Sequence, residues 1–226
     1  MLATDPKSTE SALPSGDAEA ARYVLLRRLA PSMRHQLVVN LQPIGMIYEV
    51  MDRRLRAATP DLASLQDSAG KINTFAKAAL ASCVDVVGWF APDDTVATPL
   101  PEAVRECVGL LATSLSFRGY ALRNEVGEVA GQVRRSAIRE MLTATMIHCT
   151  DHQAAPADLA LQARAEGAGA RVTVSVRPTQ GDKGIATEPS YRKIDWADLQ
   201  ALAAANGVLL AREADAVVLD FPWQGS

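Results

Sequence analysis

A helical pattern that runs from Ala18 to Ala57 limits this chain's fold more than any other feature. Leu26, Ala30, Met33 and Leu37 step by 4, 3 and 4; after a stutter of four residues, Leu41, Ile44, Tyr48, Met51 and Leu55 step by 3, 4, 3 and 4. At ~1.5 Å per residue such a helix is roughly 60 Å long. Its apolar seam is narrow, so it needs a partner helix. Pro43 lies inside the run, removes one backbone hydrogen bond and predicts a kink. Thr59-Pro60-Asp61 ends the pattern, and a second helix is predicted over Leu62–Phe90, with Leu65, Ile72, Phe75, Ala79, Leu80, Cys83, Val86 and Val87 apolar. Two long helices joined by a short turn form an antiparallel hairpin. A hairpin has only two faces to bury, so a second copy is the economical complement and a dimeric four-helix bundle is expected.

Beyond a linker at 91–100 the pattern changes to an α/β alternation. A helix is predicted over Pro101–Phe117, a short strand over Tyr120–Val126 and a helix over Gln132–Thr150. Paired strands follow at Asp158–Ala165 and Arg171–Arg177, then a loop to Ile194. Asp195 caps a helix that Asn206-Gly207 ends, and Val208–Arg212 with Ala216–Phe221 make a last hairpin. The fold class is α+β: a helical hairpin over 18–92 and a two-layer α/β sandwich over 100–226, behind a Ser/Pro/Asp-rich leader (1–17) read as disordered.

Composition excludes several functions. With 48% hydrophobic residues the chain is not globally disordered, and a net charge of −3 excludes a nucleic-acid polycation. No stretch reaches the roughly 18 consecutive apolar residues of a membrane span, and the acidic start is unlike a signal peptide. Three widely spaced cysteines are no disulfide framework. These features imply a soluble, cytoplasmic protein that binds neither nucleic acid nor membrane.

A hairpin followed by helix–strand–helix–hairpin–helix–hairpin resembles the catalytic core of bacterial sensor histidine kinases. His35-Gln36-Leu37-Val38-Val39-Asn40-Leu41-Gln42-Pro43-Ile44 is similar to their phosphoacceptor box. Pro101-Glu102-Ala103-Val104-Arg105-Glu106-Cys107 and Phe117-Arg118-Gly119-Tyr120 are similar to the opening helix and first strand of their GHKL-type ATP-binding domain. The resemblance covers about residues 20–223 and implies that His35 is a phosphoacceptor. Independently, His35 lies about 200° around the helix from both Met33 and Leu37, on the side away from the apolar seam. A solvent-facing imidazole, partly neutral near pH 7, suits that task.

The chain departs from the family where ATP would bind. The asparagine box should fall within Met141–His148, but the sequence has no asparagine between Asn124 and Asn206. The Asp-x-Gly-x-Gly turn is reduced to Asp182 and Gly184, and no second Gly-rich turn appears before Asp195. After the histidine, Gln36 replaces the usual acid, and Val39 stands where the family's phosphatase chemistry uses Thr or Asn; Asn40 is one residue late. What the resemblance then implies is a histidine phosphotransferase rather than an ATP-dependent kinase. His35 would take a phosphoryl group from a receiver-domain aspartate and pass it on, with no cofactor of its own because the receiver supplies Mg²⁺.

Residues 22–56 hold seven arginines against Glu49 and Asp52, a local +5 that could steer an acidic receiver pocket. Arg34, Gln36, Arg27, Arg28 and Asn40 are candidate contacts to the partner or its phosphate. His148-Cys149-Thr150-Asp151-His152 carries metal-capable side chains, but no second cluster completes a site, and histidines at a helix C-terminus suit its dipole. No bound metal is expected. The expected partners are response-regulator receiver domains and a second copy through the hairpin; the alternative is a non-catalytic kinase-like scaffold that docks a regulator or kinase.

Overall fold

The computed structural model describes residues 15–180, 184–185 and 191–225. Nearly all of the expected leader, and Asp182 of the reduced Gly-rich turn, lie outside them. Helix α1 spans Gly16–Leu55, opened by the Ser15 hydroxyl accepting from the Ala18 amide at 3.3 Å. It continues unbroken through Pro31 and Pro43, which bracket His35. Helix α2 (Leu62–Phe90) returns antiparallel to it, capped by Asp61. Then follow β1 (Ala97–Pro99), α3 (Leu100–Phe117), β2 (Tyr120–Asn124), β3 (Gln132–Arg134), α4 (Arg135–His152), β4 (Ala157–Glu166), β5 (Gly169–Pro178), α5 (Trp196–Asn206), β6 (Leu209–Glu213) and β7 (Ala216–Pro222). Strands β1 and β3, absent from the sequence reading, pair as a small antiparallel ribbon, too short to show a period.

The main sheet has the order β2-β4-β5-β7-β6. Only β2 and β4 run parallel, and α4 supplies the crossover that a parallel pair requires. Register places Leu159, Leu161, Val172, Val174, Val217, Leu219 and Phe221 on one buried face. The other face is polar: Arg171 grips Asp220, its register partner, with two bonds of 2.7 and 2.8 Å. At Gly169 a Cβ would collide with the Phe221 carbonyl, so only glycine lets β5 start that close to β7.

The first half of α1 packs with the sheet domain. Ala21, Val24, Leu25, Leu29 and Met33 belong to the same buried cluster as α3, α4, α5 and the sheet. The apolar stripe there runs through 21, 25, 29 and 33 rather than 26, 30, 33 and 37; Ala30 is exposed and Leu26 only half-buried. A step of four residues is what a straight helix shows to a globular core, whereas the narrower alternation belongs to a supercoil.

Past Met33 the two helices of the hairpin pack against each other, with Ile44, Ile47 and Phe75 half-buried and Ala79 buried along them. On α2, Leu62, Ala69, Ala76, Leu80, Cys83 and Val87 are all exposed at heptad spacing; on α1 so are Leu41, Tyr48 and Leu55, seven residues apart. At ~100° per residue each stripe lies roughly a quarter to a third of a turn beyond the face turned to the other helix. Because the helices are antiparallel, equal offsets bring both stripes to one side of the hairpin. His35 lies about 120–160° around α1 from its stripe. Among the described residues, no helix is long and apolar enough to cross a membrane.

Leu29→Ala should lower stability by about 2–5 kcal/mol in urea unfolding, since it empties a fully buried site at the junction of α1 with the sheet domain. Leu80→Glu, at a position 66% exposed, should leave the unfolding midpoint of the monomer unchanged, and sedimentation equilibrium of both proteins tests whether the stripe seats a second copy.

Candidate functional site

His35 is exposed on α1, two residues beyond the last buried α1 side chain, Met33. Its ring makes no hydrogen bond or ion pair among the described residues. It lines a cleft of about 800 Å³ whose walls are α1 from Pro31 to Asn40, α2 from Ala81 to Asp85, and α3 from Gly109 to Phe117. Sequence reasoning placed the histidine on a solvent face but did not bring α3 to it. Thr113, Ser114 and Phe117 of the sheet domain thus share the cleft with the hairpin.

The other candidates separate. Arg34 is exposed beside His35 in the same cleft. Gln36 is half-buried, and its backbone carbonyl accepts from Asn40 Nδ2 at 3.2 Å. The same Asn40 nitrogen donates to Ser82 Oγ at 2.8 Å, so its amide ties α1 to α2 at the cleft wall. Ser32 Oγ donates to Ser114 Oγ at 3.2 Å and ties α1 to α3. Arg27 is exposed a little over two turns before His35 and lies near the faces of Tyr23 and Tyr191, 6.0 and 5.1 Å from their centroids.

Arg28 is a correction. Expected as a partner contact, it is buried, with its two terminal nitrogens donating to the two Asp151 oxygens at 2.7 and 2.6 Å. A guanidinium so engaged cannot meet a partner's phosphate. The sequence carried a signal for this: Arg28 stands between Leu25 and Leu29, and Asp151 closes a helix of apolar residues. A charge that the pattern buries has to be paired.

On α2, Asp85 lines the cleft but its carboxylate is bound by Arg139 of α4, which also bonds Glu106 of α3. Arg139 lies over the Trp89 ring at 4.7 Å, and Arg135 reaches Glu106 at 3.0 Å. Two arginine–carboxylate clusters therefore underlie the cleft, and neither was anticipated, because their members are distant in sequence.

Helix α4 is buried from Ser136 to Asp151 except at Glu140. The stretch where the asparagine box was expected, Met141–His148, is enclosed in the core. The histidines at its end are used structurally. His148 Nδ1 lies 2.7 Å from the Ile194 carbonyl, which can only accept, so Nδ1 carries the proton. His152 Nε2 lies 3.1 Å from the same oxygen. Among the described residues, no three His, Cys, Asp or Glu side chains are grouped to hold a metal ion. Gly184 has a left-handed φ of +61° and sits against the backbone of Phe117–Gly119, while the Ile185 amide donates to the Phe117 carbonyl at 2.8 Å. These two residues lie against the end of α3.

No protein-family model matches this chain, and no curated protein does. Among solved structures it is similar to the catalytic domain of histidine kinase ThkA, 13% identical over 57% of this chain and 95% of that one, with a TM-score of 0.44. It is also similar to a histidine kinase from Burkholderia phymatum (16% identity, 92% and 98% covered, TM-score 0.42) and to a bacterial phosphotransferase (13%, 95% and 100%, TM-score 0.38).

Burial holds the His148 pKa below its ordinary value, and nearby His152 and Arg212 act in the same direction. The unfolded chain then binds a proton that the folded chain refuses, so stability is full above the ordinary histidine value, roughly 6.5, and falls as the pH drops below it. Urea midpoints measured on both sides of that value should show the loss, and His148→Gln should reduce its pH slope.

Proposed function

We propose that this protein is a histidine phosphotransferase of a two-component relay, taking a phosphoryl group on His35 from a receiver-domain aspartyl phosphate and returning it to another receiver without ATP. The observation that carries this reading is the setting of His35. It is an exposed imidazole without a partner among the described residues, beside Arg34, in a cleft that mixes hydroxyl and amide side chains with apolar ones such as Val38, Val39, Leu110 and Phe117.

The chemistry needs little else from this chain. The unprotonated ring nitrogen attacks phosphorus, the N–P bond forms as the P–O bond to the aspartate breaks, and the carboxylate leaves as the anion. The proton on the other ring nitrogen is released to water. Arg34 offsets phosphate charge during docking, and the divalent cation belongs to the receiver. The same steps run backwards toward the second receiver. Gln36, which cannot take a proton, is compatible with a donor that is already activated.

Two further observations support the reading. Met141–Ile147 is enclosed and carries no amide or carboxylate side chain for a metal–nucleotide complex. The exposed heptad stripes on one side of the hairpin fit a homodimer that leaves His35 outward, as a docking partner requires.

Phosphoramidate, a small donor that needs no partner, tests the acceptor directly. Intact-mass analysis at alkaline pH should show one acid-labile phosphoryl group per chain, lost in His35→Ala. No adduct, or one that survives that substitution, would leave the scaffold reading in its place.

A further inference from the structure

Asp151 is the only buried carboxylate among the described residues, and phosphoryl transfer at His35 gives it no chemical task. It collects contacts from three directions. Arg28 of α1 donates twice, the Ile194 amide donates at 3.0 Å, and Arg118 Nη2 lies 3.8 Å away. The positions of these arginines matter. Arg28 stands three residues before Pro31, where the α1 wall of the cleft begins, and Arg118 directly follows Phe117, where the α3 wall ends. Asp151 on α4 thus grips α1 just before its wall begins and lies within ion-pair distance of the arginine that follows the α3 wall. The third wall is held by the same helix: Arg139 bonds both Asp85 of α2 and Glu106 of α3.

We propose that Asp151 is a positioning residue, with Arg139 as its counterpart on the α2 side: it fixes α1 and α3 at the separation at which one receiver domain can touch both helices while its phosphoaspartate meets His35. The inference rests on the phosphotransfer reading of His35, and it adds that hairpin and sheet domain act as a single docking cradle. The exposed Phe117 ring, 64% accessible at the cleft edge, is the contact whose place this arrangement determines.

Replacing Arg28 with Met and Asp151 with Leu together removes both charges and strands neither, so the fold should survive. Two readouts then apply. Spin labels on cysteines introduced at the exposed Gln42 of α1 and Ser116 of α3, with Cys83 replaced by Ser and labelled chains diluted in unlabelled ones, report the spacing of the walls. A single narrow distance is expected in the native pairing, and a broadened or displaced one in the double variant. Transfer from phosphorylated His35 to a receiver domain should lose about tenfold or more in kcat/KM, mostly through KM, while loading by phosphoramidate stays within about twofold.

An unchanged distance distribution overturns the proposal, as does a parallel loss of loading and transfer, which would mean that His35 itself was damaged. If the double variant does not fold, Arg118→Gln, which removes only the partly exposed arm and keeps the Arg28 pair, is read by the same two measures. If His35 in the unmodified protein takes no phosphoryl group, the phosphotransfer reading falls alone, because the distance measurement does not depend on it.

Discussion

The Arg28 guanidinium and the Asp151 carboxylate meet fork to fork with side-chain exposures of 4% and 0%. Withdrawing two charges from water is costly, and only a bidentate geometry with further donors offsets it. Here the Ile194 amide is a third donor to the carboxylate, and the Arg192 carbonyl accepts from Arg28 Nη1 at 2.9 Å. A pair of this kind tolerates little displacement, since sliding α1 by one residue would strand both charges. Its value lies in geometry more than in net stability. It sets the register of a forty-residue helix against the sheet domain, and everything beyond Met33 on that helix inherits the alignment.

From that register follows the cleft. With α1 seated on α3 and α4, the helix leaves the core at Met33 and presents Arg34 and His35 at the moment it emerges. The side chains around them come from both parts of the chain. The ring is held on α1 but makes no hydrogen bond or ion pair with any described neighbour. The hydroxyls of Ser32, Ser82 and Ser114 are spent on ties between helices, as is the Asn40 amide. The cleft therefore keeps its shape through internal bonds, and the imidazole takes no part in them.

Element order and most boundaries were legible in the sequence, because long amphipathic periods, an Asp195 cap and the alternation of β4, β5 and β7 are local signals. Helix α2 was legible to the residue. The errors have physical causes. Leu25 and Leu26 are adjacent and both apolar, so periodicity alone could not choose between a stripe through 25 and 29 and a seam through 26 and 30. The choice was made by α4 and α5, distant in sequence. Nothing local marks the partner of Arg28 for the same reason: it is Asp151, more than a hundred residues away. Pro31, also inside α1, escaped notice although it is visible in the sequence; the helix absorbs it just where it leaves the core. The exposure of His35 was readable from its angle to the apolar residues. The α3 wall facing it was not, since nothing local in Thr113-Ser114 marks a shared cleft.

Everything proposed for His35 depends on its passing phosphate between proteins. A receiver domain loaded with radiolabelled phosphate from a small donor, mixed with this protein and a second receiver in the absence of nucleotide, tests that directly. Label is expected on His35 and then on the second receiver, with transfer abolished by His35→Ala. Label that stays on the first receiver with every receiver pair tried, or that moves equally well without His35, would contradict it.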